Sequence, residues 1–298
     1  MKINQIRPQE REFTEVLSVI ALKPKMLYYY GKMPDFRVPT VAIVGARKNT
    51  AYGEEVAYRA AYAAAAAGAI VVSGLAYGID SIAHRGALDA GGVTIAVLGT
   101  PIDKIYPTRH VGLAREIVDK GGVVMSEYGP GDTGGGHGEV GGACFLYRNR
   151  IISGLSDAVF VAEAAEHSGS LNTAAHALEQ GKDVYAAPAD ITRVNSEGCN
   201  RLIQKGAYPY MEPLDILERL FPGREPASRR RRKSAQLAFS GGTELEKRIL
   251  REISKGVRDG GEIVERLSIS ASEFNQAITM LELSDAVKAL GMNKWMVK

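Results

Sequence analysis

The sequence predicts a doubly wound α/β domain with a mostly parallel sheet, followed by a small winged-helix-like domain. The chain has 298 residues, of which 45% are hydrophobic, and this is enough for about two domains. After Pro39, short apolar runs alternate with longer stretches of helix-forming residues. The apolar runs are continuous, which is typical of parallel strands buried on both faces.

The elements of the α/β domain follow in order along residues 39–222. The predicted strands are Val41–Val44, Ile70–Val72, Thr94–Leu98, Val123–Met125, Ala158–Ala162 and Val184–Ala187. The predicted helices between them are Glu54–Ala67, Asp80–Ala90, Val111–Lys120 and Leu171–Gln180. Residues 9–20 predict a helix within an N-terminal helical extension (1–38), and residues 213–220 predict a closing helix.

The C-terminal domain (243–298) shows a different pattern. Thr243 and Glu246 have the spacing of a capping box, which opens a first helix. A second helix is predicted over Gly261–Leu267 and a third from Ser270 to about Leu283. A hairpin is expected around Gly291. Three short helices followed by a hairpin predict a winged-helix-like unit.

The net charge of +3 is concentrated in one segment. Residues 223–233 carry six basic residues and one acidic residue, whereas residues 244–298 carry nine of each. The segment lies among Pro, Gly and Ser, so residues 223–242 predict a basic flexible linker. It is either a solvated spacer or an arm that contacts a polyphosphate.

Cysteine content and hydropathy exclude several classes of protein. Two cysteines, Cys144 and Cys199, are too few for a disulfide scaffold or a four-cysteine zinc site. No apolar run reaches the length of a membrane span, and the first residues do not resemble a signal segment. We therefore expect a cytoplasmic protein that does not bind membranes.

Three glycine-rich turns follow predicted strands, where ligands bind in open α/β sheets. They are Gly45-Ala46-Arg47-Lys48, the turn that begins Ser73-Gly74, and Ser168-Gly169-Ser170. Small residues let an anion approach the backbone, and Arg47 adds a forked donor. Each turn alone is more simply a helix cap, but three at one edge predict a phosphate-lined crevice. Neither the dinucleotide fingerprint nor the P-loop is present.

A glycine-rich stretch, Tyr128–Gly142, holds eight glycines in 15 residues and precedes Arg148-Asn149-Arg150. Its length predicts a functional loop or disorder. The two arginines are candidates for phosphate contact, or alternatively for structural ion pairs with Glu127 or Glu163. Phe145 and Tyr147 are candidates for base stacking or for core packing.

Catalytic patterns are weaker. Asp80 and His84 lie four residues apart on one predicted helix and are either an acid–base pair or a structural pair. Cys144 with His137 lacks a third, orienting group. No set of residues has metal-ligand spacing, so we predict no catalytic residues, no metal and no cofactor.

Several longer motifs together resemble the DNA-processing protein A (DprA/Smf) family, over about residues 24–220. The motifs are Val41–Arg47, Val72–His84, Ala96–Gly99, Ile105–Pro107, Arg148–Ser156, Ser168–Ser170, Ala177–Gly181 and Gly198–Ile203. Departures from the family pattern are Thr108 in place of a basic residue, Ala189 in place of glycine, and glycines in a loop that is usually richer in proline.

The resemblance implies an extended Rossmann-type domain that binds single-stranded DNA, forms a homodimer and acts without catalysis. It implies a recombination mediator that protects incoming strands and helps to load the RecA recombinase in natural transformation (competence). The implied contact residues are Gly45, Ala46, Arg47, Lys48, Ser73, Gly74, Arg109, Arg148, Asn149, Arg150, Ser168, Gly169 and Ser170. The family's basic residue after the Tyr-Pro pair is replaced here by Thr108, so its phosphate contact is assigned to the next residue, Arg109.

The alternative is an enzyme, a nucleotide phosphoribohydrolase of the lysine-decarboxylase-like ("lonely guy") type, which shares this sheet architecture and a glycine-rich loop before a helix. In that family a glutamate follows the loop. Here Thr173 is followed by Ala174 and Ala175, so the matching acid is absent. A regulator of double-stranded DNA is disfavoured because the C-terminal domain has no net charge.

Overall fold

Two compact units, Met1–Pro226 and Ala227–Lys298, make up the chain in the computed structural model. The structure describes residues 2–132, 142–222 and 243–297, apart from residues 256, 285 and 292. Most of the glycine-rich stretch, with His137, and the whole basic linker lie outside these residues.

The first unit is built on a nine-stranded sheet. Its strands are β1 (Asn4–Ile6), β2 (Leu27–Gly31), β3 (Thr40–Gly45), β4 (Ile70–Ser73), β5 (Thr94–Val97), β6 (Val123–Ser126), β7 (Ala158–Glu163), β8 (Asp183–Ala186) and β9 (Tyr208–Pro209). They lie in the order β1-β2-β6-β5-β4-β3-β7-β8-β9. Strands β3 to β9 run parallel to one another, and β2 pairs antiparallel with both β1 and β6. All six predicted strands are confirmed, as is the doubly wound Rossmann-type architecture.

Helices cover both faces of this sheet. One face packs against α2 (Ala51–Ala66), α3 (Ile79–Asp89), α4 (Val111–Asp119) and α8 (Leu214–Leu220). The other packs against α1 (Glu12–Glu15), α5 (Gly142–Leu155), α6 (Ser170–Glu179) and α7 (Glu197–Gln204). Along β3, Val41 and Ile43 join the first core, whereas Ala42 and Val44 join the second. Burial on both faces explains the continuous apolar strands.

The N-terminal segment differs from the prediction. Instead of a helical extension, it adds strands β1 and β2 to the sheet, and residues 8–18 form only short helical turns. The pairing of Tyr28 with Ser126 and of Gly31 with Val123 joins residues almost a hundred positions apart, so the local pattern does not reveal it. Gly31 has φ +96°, and a Cβ there would lie 2.1 Å from the Gly122 carbonyl oxygen.

The second unit has the predicted order of elements. Its helices are α9 (Glu244–Ser254), α10 (Gly260–Leu267) and α11 (Ala271–Leu283), and its hairpin is β10 (Val287–Gly291) with β11 (Lys294–Val297). Capping boxes at Thr243 and Ser270 open α9 and α11. Ile249, Ile263 and Phe274 lie in a core of its own.

No helix in the described part of the chain is long and apolar enough to cross a membrane.

Candidate nucleic-acid interface

A cavity of about 250 Å³ lies at the point where the strand order of the sheet reverses, between the carboxyl ends of β3 and β7. This is the ligand position expected in open α/β sheets. Its lining residues are Val44, Gly45, Arg47, Ala76, Asp80, Phe145, Leu146, Arg148, Asn149, Ile152, Ser168, Gly169, Ser170 and Thr173. The structure therefore brings together seven of the predicted contact residues: Gly45, Arg47, Arg148, Asn149, Ser168, Gly169 and Ser170.

The turn after β3 projects Arg47 toward this cavity. The Ala46 N–H donates to the Glu163 carbonyl oxygen at 2.7 Å, which ties the turn to the end of β7. A Cβ on Gly45 would lie 2.8 Å from the same oxygen, so this close approach requires glycine. Arg47 is exposed, and its guanidinium carbon lies 5.6 Å from the centre of the Phe145 ring. Within the described residues no carboxylate pairs with Arg47.

Lys48 does not line the cavity. Its side chain is exposed, and its carbonyl oxygen accepts a hydrogen bond from Asn195 Nδ2 at 3.1 Å.

Glu163 was one possible ion-pair partner for Arg148 or Arg150. Instead, its carboxylate accepts a hydrogen bond from the Thr50 N–H at 2.8 Å and so anchors the start of α2.

Arg148 forms the floor of the cavity. It is 4% exposed, and its Nη1 donates to the carbonyl oxygens of Gly74 (2.9 Å) and Val97. Nε donates to Asn149 Oδ1 at 3.2 Å. Burial lowers the Arg148 pKa to about 10, so the side chain stays charged at neutral pH. Its Nη2 donates no hydrogen bond to any residue that the structure describes, which leaves a cationic donor in the cavity lining for a ligand.

Asp80 balances part of this charge. Its Oδ2 accepts hydrogen bonds from the N–H groups of Gly74 (3.1 Å) and Ala76 (3.3 Å). Burial raises the pKa of Asp80, and the positive charge of Arg148 opposes that rise. The carboxylate thus shapes the turn after β4 beneath the arginine.

Asp80 and His84 share no hydrogen bond in the described structure, so neither the acid–base pair nor the structural pair is present. His84 is fully buried and its Nδ1 lies 2.7 Å from Thr94 Oγ1. Because that hydroxyl donates to the Val71 carbonyl oxygen, it accepts from Nδ1–H, so the Nδ1–H tautomer is present. Burial lowers the His84 pKa to about 3. His84 is therefore a neutral core residue.

The start of α6 closes the cavity. Ser168 Oγ and Ser170 Oγ lie 2.7 Å apart, and Gly169 occupies the N-cap position. Asn149 Nδ2 donates to the Gly169 carbonyl oxygen at 3.2 Å and so positions this turn beside Arg148. A helix start carries a partial positive charge, which favours an anion.

Three of the predicted contact residues serve the protein interior. Ser73 Oγ is buried and donates to the Ile43 carbonyl oxygen at 2.7 Å. Gly74 lies under Arg148, with no side chain between them. Arg150 is 2% exposed and forms two hydrogen bonds with the Glu127 carboxylate, at 2.8 and 2.6 Å. The structural alternative for this arginine thus holds.

Arg109 also lies outside the cavity. It is exposed on a short turn that follows Pro107, and it has no ion-pair partner within the described residues. Its neighbour His110 reaches the turn after β4, since its Nδ1 lies 2.8 Å from the Leu75 carbonyl oxygen.

An aromatic rim lies beside the cavity; sequence reasoning named one of its residues, Phe145, and missed the other, Tyr106. Tyr106 is 47% exposed, and the centre of its ring lies 5.5 Å from that of Phe145. Phe145 in turn lies under Arg47. The Tyr-Pro pair was visible as a motif, but only the fold shows that its ring meets Phe145. Thr173, buried in the cavity wall, was also missed as a site residue.

No group of three His, Cys, Asp or Glu side chains in the described ranges is placed to hold a metal ion. Cys144 and Cys199 are buried, and burial raises the Cys199 pKa to about 12. The first turn of α6 carries no acidic residue.

Comparison with known proteins gives a family match over most of the chain. The model of the family described as DNA recombination-mediator protein A matches residues 4–221, a range that includes β1 and β2. Protein Smf of Escherichia coli is 43% identical over 197 residues, which are 66% of this chain and 51% of that protein. The DNA processing protein DprA of Streptococcus pneumoniae is 40% identical over 201 residues, 67% of this chain and 68% of the relative. The chain thus spans about half the length of the first of these relatives.

Two solved structures share the fold. The crystal structure of DNA processing protein A from S. pneumoniae has a TM-score of 0.65 and 38% identity, over 73% of this chain and 74% of that one. A structure of DNA processing protein A from Helicobacter pylori, which concerns its single-stranded DNA binding mode, has a TM-score of 0.64 and 28% identity. It covers 76% of this chain and 98% of that one.

Proposed function

The chain belongs to the DNA recombination-mediator protein A (DprA/Smf) family, and from this premise we propose that it binds single-stranded DNA as a recombination mediator. One observation carries the proposal. Neither the exposed guanidinium of Arg47 nor the Nη2 of Arg148 donates a hydrogen bond within the described structure, and both residues line the cavity that the start of α6 closes.

A phosphate group fits this arrangement chemically. Arg148 is held by Gly74 and Val97, so its free Nη2 needs no reorganisation to donate to a phosphate oxygen. Arg47 is exposed and able to meet the strand first. The turn Ser168–Ser170 supplies hydroxyl groups and the positive end of a helix. The backbone of the DNA would therefore provide most of the affinity.

Bases would be bound without sequence readout. Phe145 and Tyr106 offer ring faces next to the phosphate position, and stacking on aromatic rings tolerates every base. Duplex DNA holds its bases inside the stack, so this mode of contact favours single strands. Arg109 is exposed near Tyr106 in the sequence, and we keep it as a further phosphate contact of the rim.

In the cell we propose that the protein acts in the cytoplasm as a homodimer, protects incoming strands in natural transformation and helps to load the RecA recombinase. Support comes from the family resemblance and from the relatives named DNA processing protein DprA. We assign a protein-contact role to the C-terminal unit. Its helix α11 contains Glu273 and Glu282 but no lysine or arginine, which disfavours docking in the major groove of DNA.

We propose that the protein binds without catalysis. The carboxylate in the cavity, Asp80, is occupied by two backbone N–H groups, and the phosphoribohydrolase pattern lacks its acid after Thr173.

The deciding experiment is a mobility-shift assay with the full chain and matched single- and double-stranded oligonucleotides. We expect binding to the single strand at concentrations at which the duplex is free. Equal affinity for the duplex, or no binding to either, would overturn the proposal.

A further inference from the structure

A second basic site lies in the N-terminal segment, away from the cavity. A surface depression of about 380 Å³ is lined by Arg7, Lys23 and Lys25, together with Pro8, Gln9, Ser18 and Pro24. The three basic side chains are exposed, and none has an ion-pair partner in the part of the chain that the structure describes. The described residues that line it include no carboxylate.

A second feature of this depression is an unpaired hydroxyl group. Ser18 Oγ is buried and has no hydrogen-bond partner among the described residues. Glu10 accepts a hydrogen bond from the backbone N–H of Arg7 at 2.8 Å, but it does not line the depression. Three like charges around an unsatisfied hydroxyl are a favourable site for phosphate oxygens, which accept hydrogen bonds from both kinds of group.

The strand register places this depression at the same edge of the sheet as the cavity. Tyr28 of β2 pairs with Ser126, the last residue of β6, so Lys23 and Lys25 lie just before β2 at the carboxyl edge. Ile6 ends β1 opposite Leu27, which brings Arg7 to that edge too. From β3 to β2 the sheet order counts four steps, or about 20 Å at roughly 4.8 Å per step.

Arg150 fixes the segment in this position. Its Nε donates to the Leu22 carbonyl oxygen at 2.6 Å, one residue before Lys23. The same helix, α5, carries Arg148 in the cavity. Both sites are therefore attached to one rigid element.

We propose that Arg7, Lys23 and Lys25 form a second phosphate-contacting site for the same single strand of DNA. A strand that leaves the cavity along the carboxyl edge reaches this site after several nucleotides. The proposal rests on the proposed function, and it assigns to the N-terminal segment a part in DNA binding. Short oligonucleotides fill only the cavity, whereas longer ones contact both sites.

The test compares Lys23→Gln/Lys25→Gln with a matched control, Lys120→Gln/Lys205→Gln. The control removes the same charge from the turns that lead into β6 and β9, at the opposite edge of the sheet. Binding is measured by fluorescence anisotropy with oligothymidines of about 4 and about 16 nucleotides, lengths that span the usual site sizes. An oligothymidine of about 4 nucleotides without a terminal phosphate has about three phosphate groups, so its outer phosphates lie about 14 Å apart even at about twice the 3.4 Å rise of a duplex strand. This is less than the distance of about 20 Å between the sites.

For Lys23→Gln/Lys25→Gln we expect unchanged affinity for the shorter oligonucleotide and about tenfold weaker binding of the longer one. The salt slope for the longer one should fall by about 0.7 for each lost phosphate contact. If the two double variants have the same affinity and the same salt slope for both oligonucleotides, the inference is overturned. Weaker binding at both lengths would overturn it as well. Failure of the unmodified chain to bind either length would instead refute the proposed function itself.

Discussion

Arg148 and Asp80 bind the two backbone groups of one residue, Gly74. Arg148 Nη1 donates to the Gly74 carbonyl oxygen at 2.9 Å, and Asp80 Oδ2 accepts from the Gly74 N–H at 3.1 Å. The backbone of the turn after β4 therefore lies between the two buried charges. This arrangement holds the guanidinium of Arg148 at the cavity, while its Nη2 donates no hydrogen bond to any described residue.

Gly74→Ala should disturb this arrangement. A Cβ at this position would lie 2.6 Å from Arg148 Nη2 and 2.7 Å from Asp80 Oδ2. We expect a loss of about 1–3 kcal/mol in the free energy of unfolding and weaker binding of single-stranded DNA. Chemical denaturation and anisotropy measure the two effects. Gly112→Ala is the control, because a Cβ there has no neighbour within 4 Å. If both variants behave alike, Gly74 does not support the site.

Arg47→Ala should weaken DNA binding without changing stability. The side chain is exposed and pairs with no carboxylate in the described structure, so folding does not depend on it. We expect about tenfold or greater loss of affinity, and a salt slope lower by about 0.7 for one phosphate contact. Arg115→Ala removes an exposed charge outside the cavity and is the control. An unchanged salt titration of Arg47→Ala would exclude this residue from the site.

Arg150→Met should destabilise the fold. Arg150 and Glu127 form an ion pair with side-chain exposures of only 3% and 11%, and removal of one partner leaves the other charge buried. We expect a loss of about 3–5 kcal/mol, measured by urea denaturation. The double variant Glu127→Gln/Arg150→Met should lose less than the sum of the single changes. If the Arg150→Met protein is stable but binds DNA poorly, Arg150 contacts DNA and its role is not structural.

His84 should make stability depend on pH in the acidic range. Its folded-state pKa of about 3 lies below the usual value of 6.5, so between these limits the unfolded chain binds one more proton. The free energy of unfolding should therefore fall by about 1.4 kcal/mol per pH unit from this residue as the pH drops from 6.5 toward 3. In His84→Gln the free energy of unfolding should depend less steeply on pH, by about 1.4 kcal/mol per pH unit, which corresponds to one proton. Parallel slopes for the two proteins would contradict the buried neutral state.

Incubation with nucleoside monophosphates should release no free base. Chromatography of the products measures this directly. Asp80→Asn serves as the control, since it removes the carboxylate that lines the cavity. Release of base by the unmodified chain and its loss in Asp80→Asn would establish an enzyme.

Much of the architecture was predictable because its signals are local. Continuous apolar strands, helix-forming stretches and the capping box at Thr243 each depend on neighbours a few residues away. The meeting of the turns at Gly45 and Ser168 was predictable too, since the ends of parallel strands lie at one edge of the sheet. Strands β1 and β2 were not, because their pairing depends on β6, far along the chain.

The sequence by itself determined the alternation of strands and helices, and with it the edge at which the glycine turns and arginines gather. Only the tertiary structure decided which of these side chains line the cavity and which pair inside the protein. Arg148 and Arg150 are two residues apart on α5, and residues at that spacing point to different sides of a helix. Packing of α5 on the sheet turned Arg148 toward the cavity and Arg150 toward Glu127. Asp80 and His84 likewise differ in their hydrogen-bond partners. Asp80 binds the turn after β4 at Gly74, whereas His84 binds Thr94 of β5.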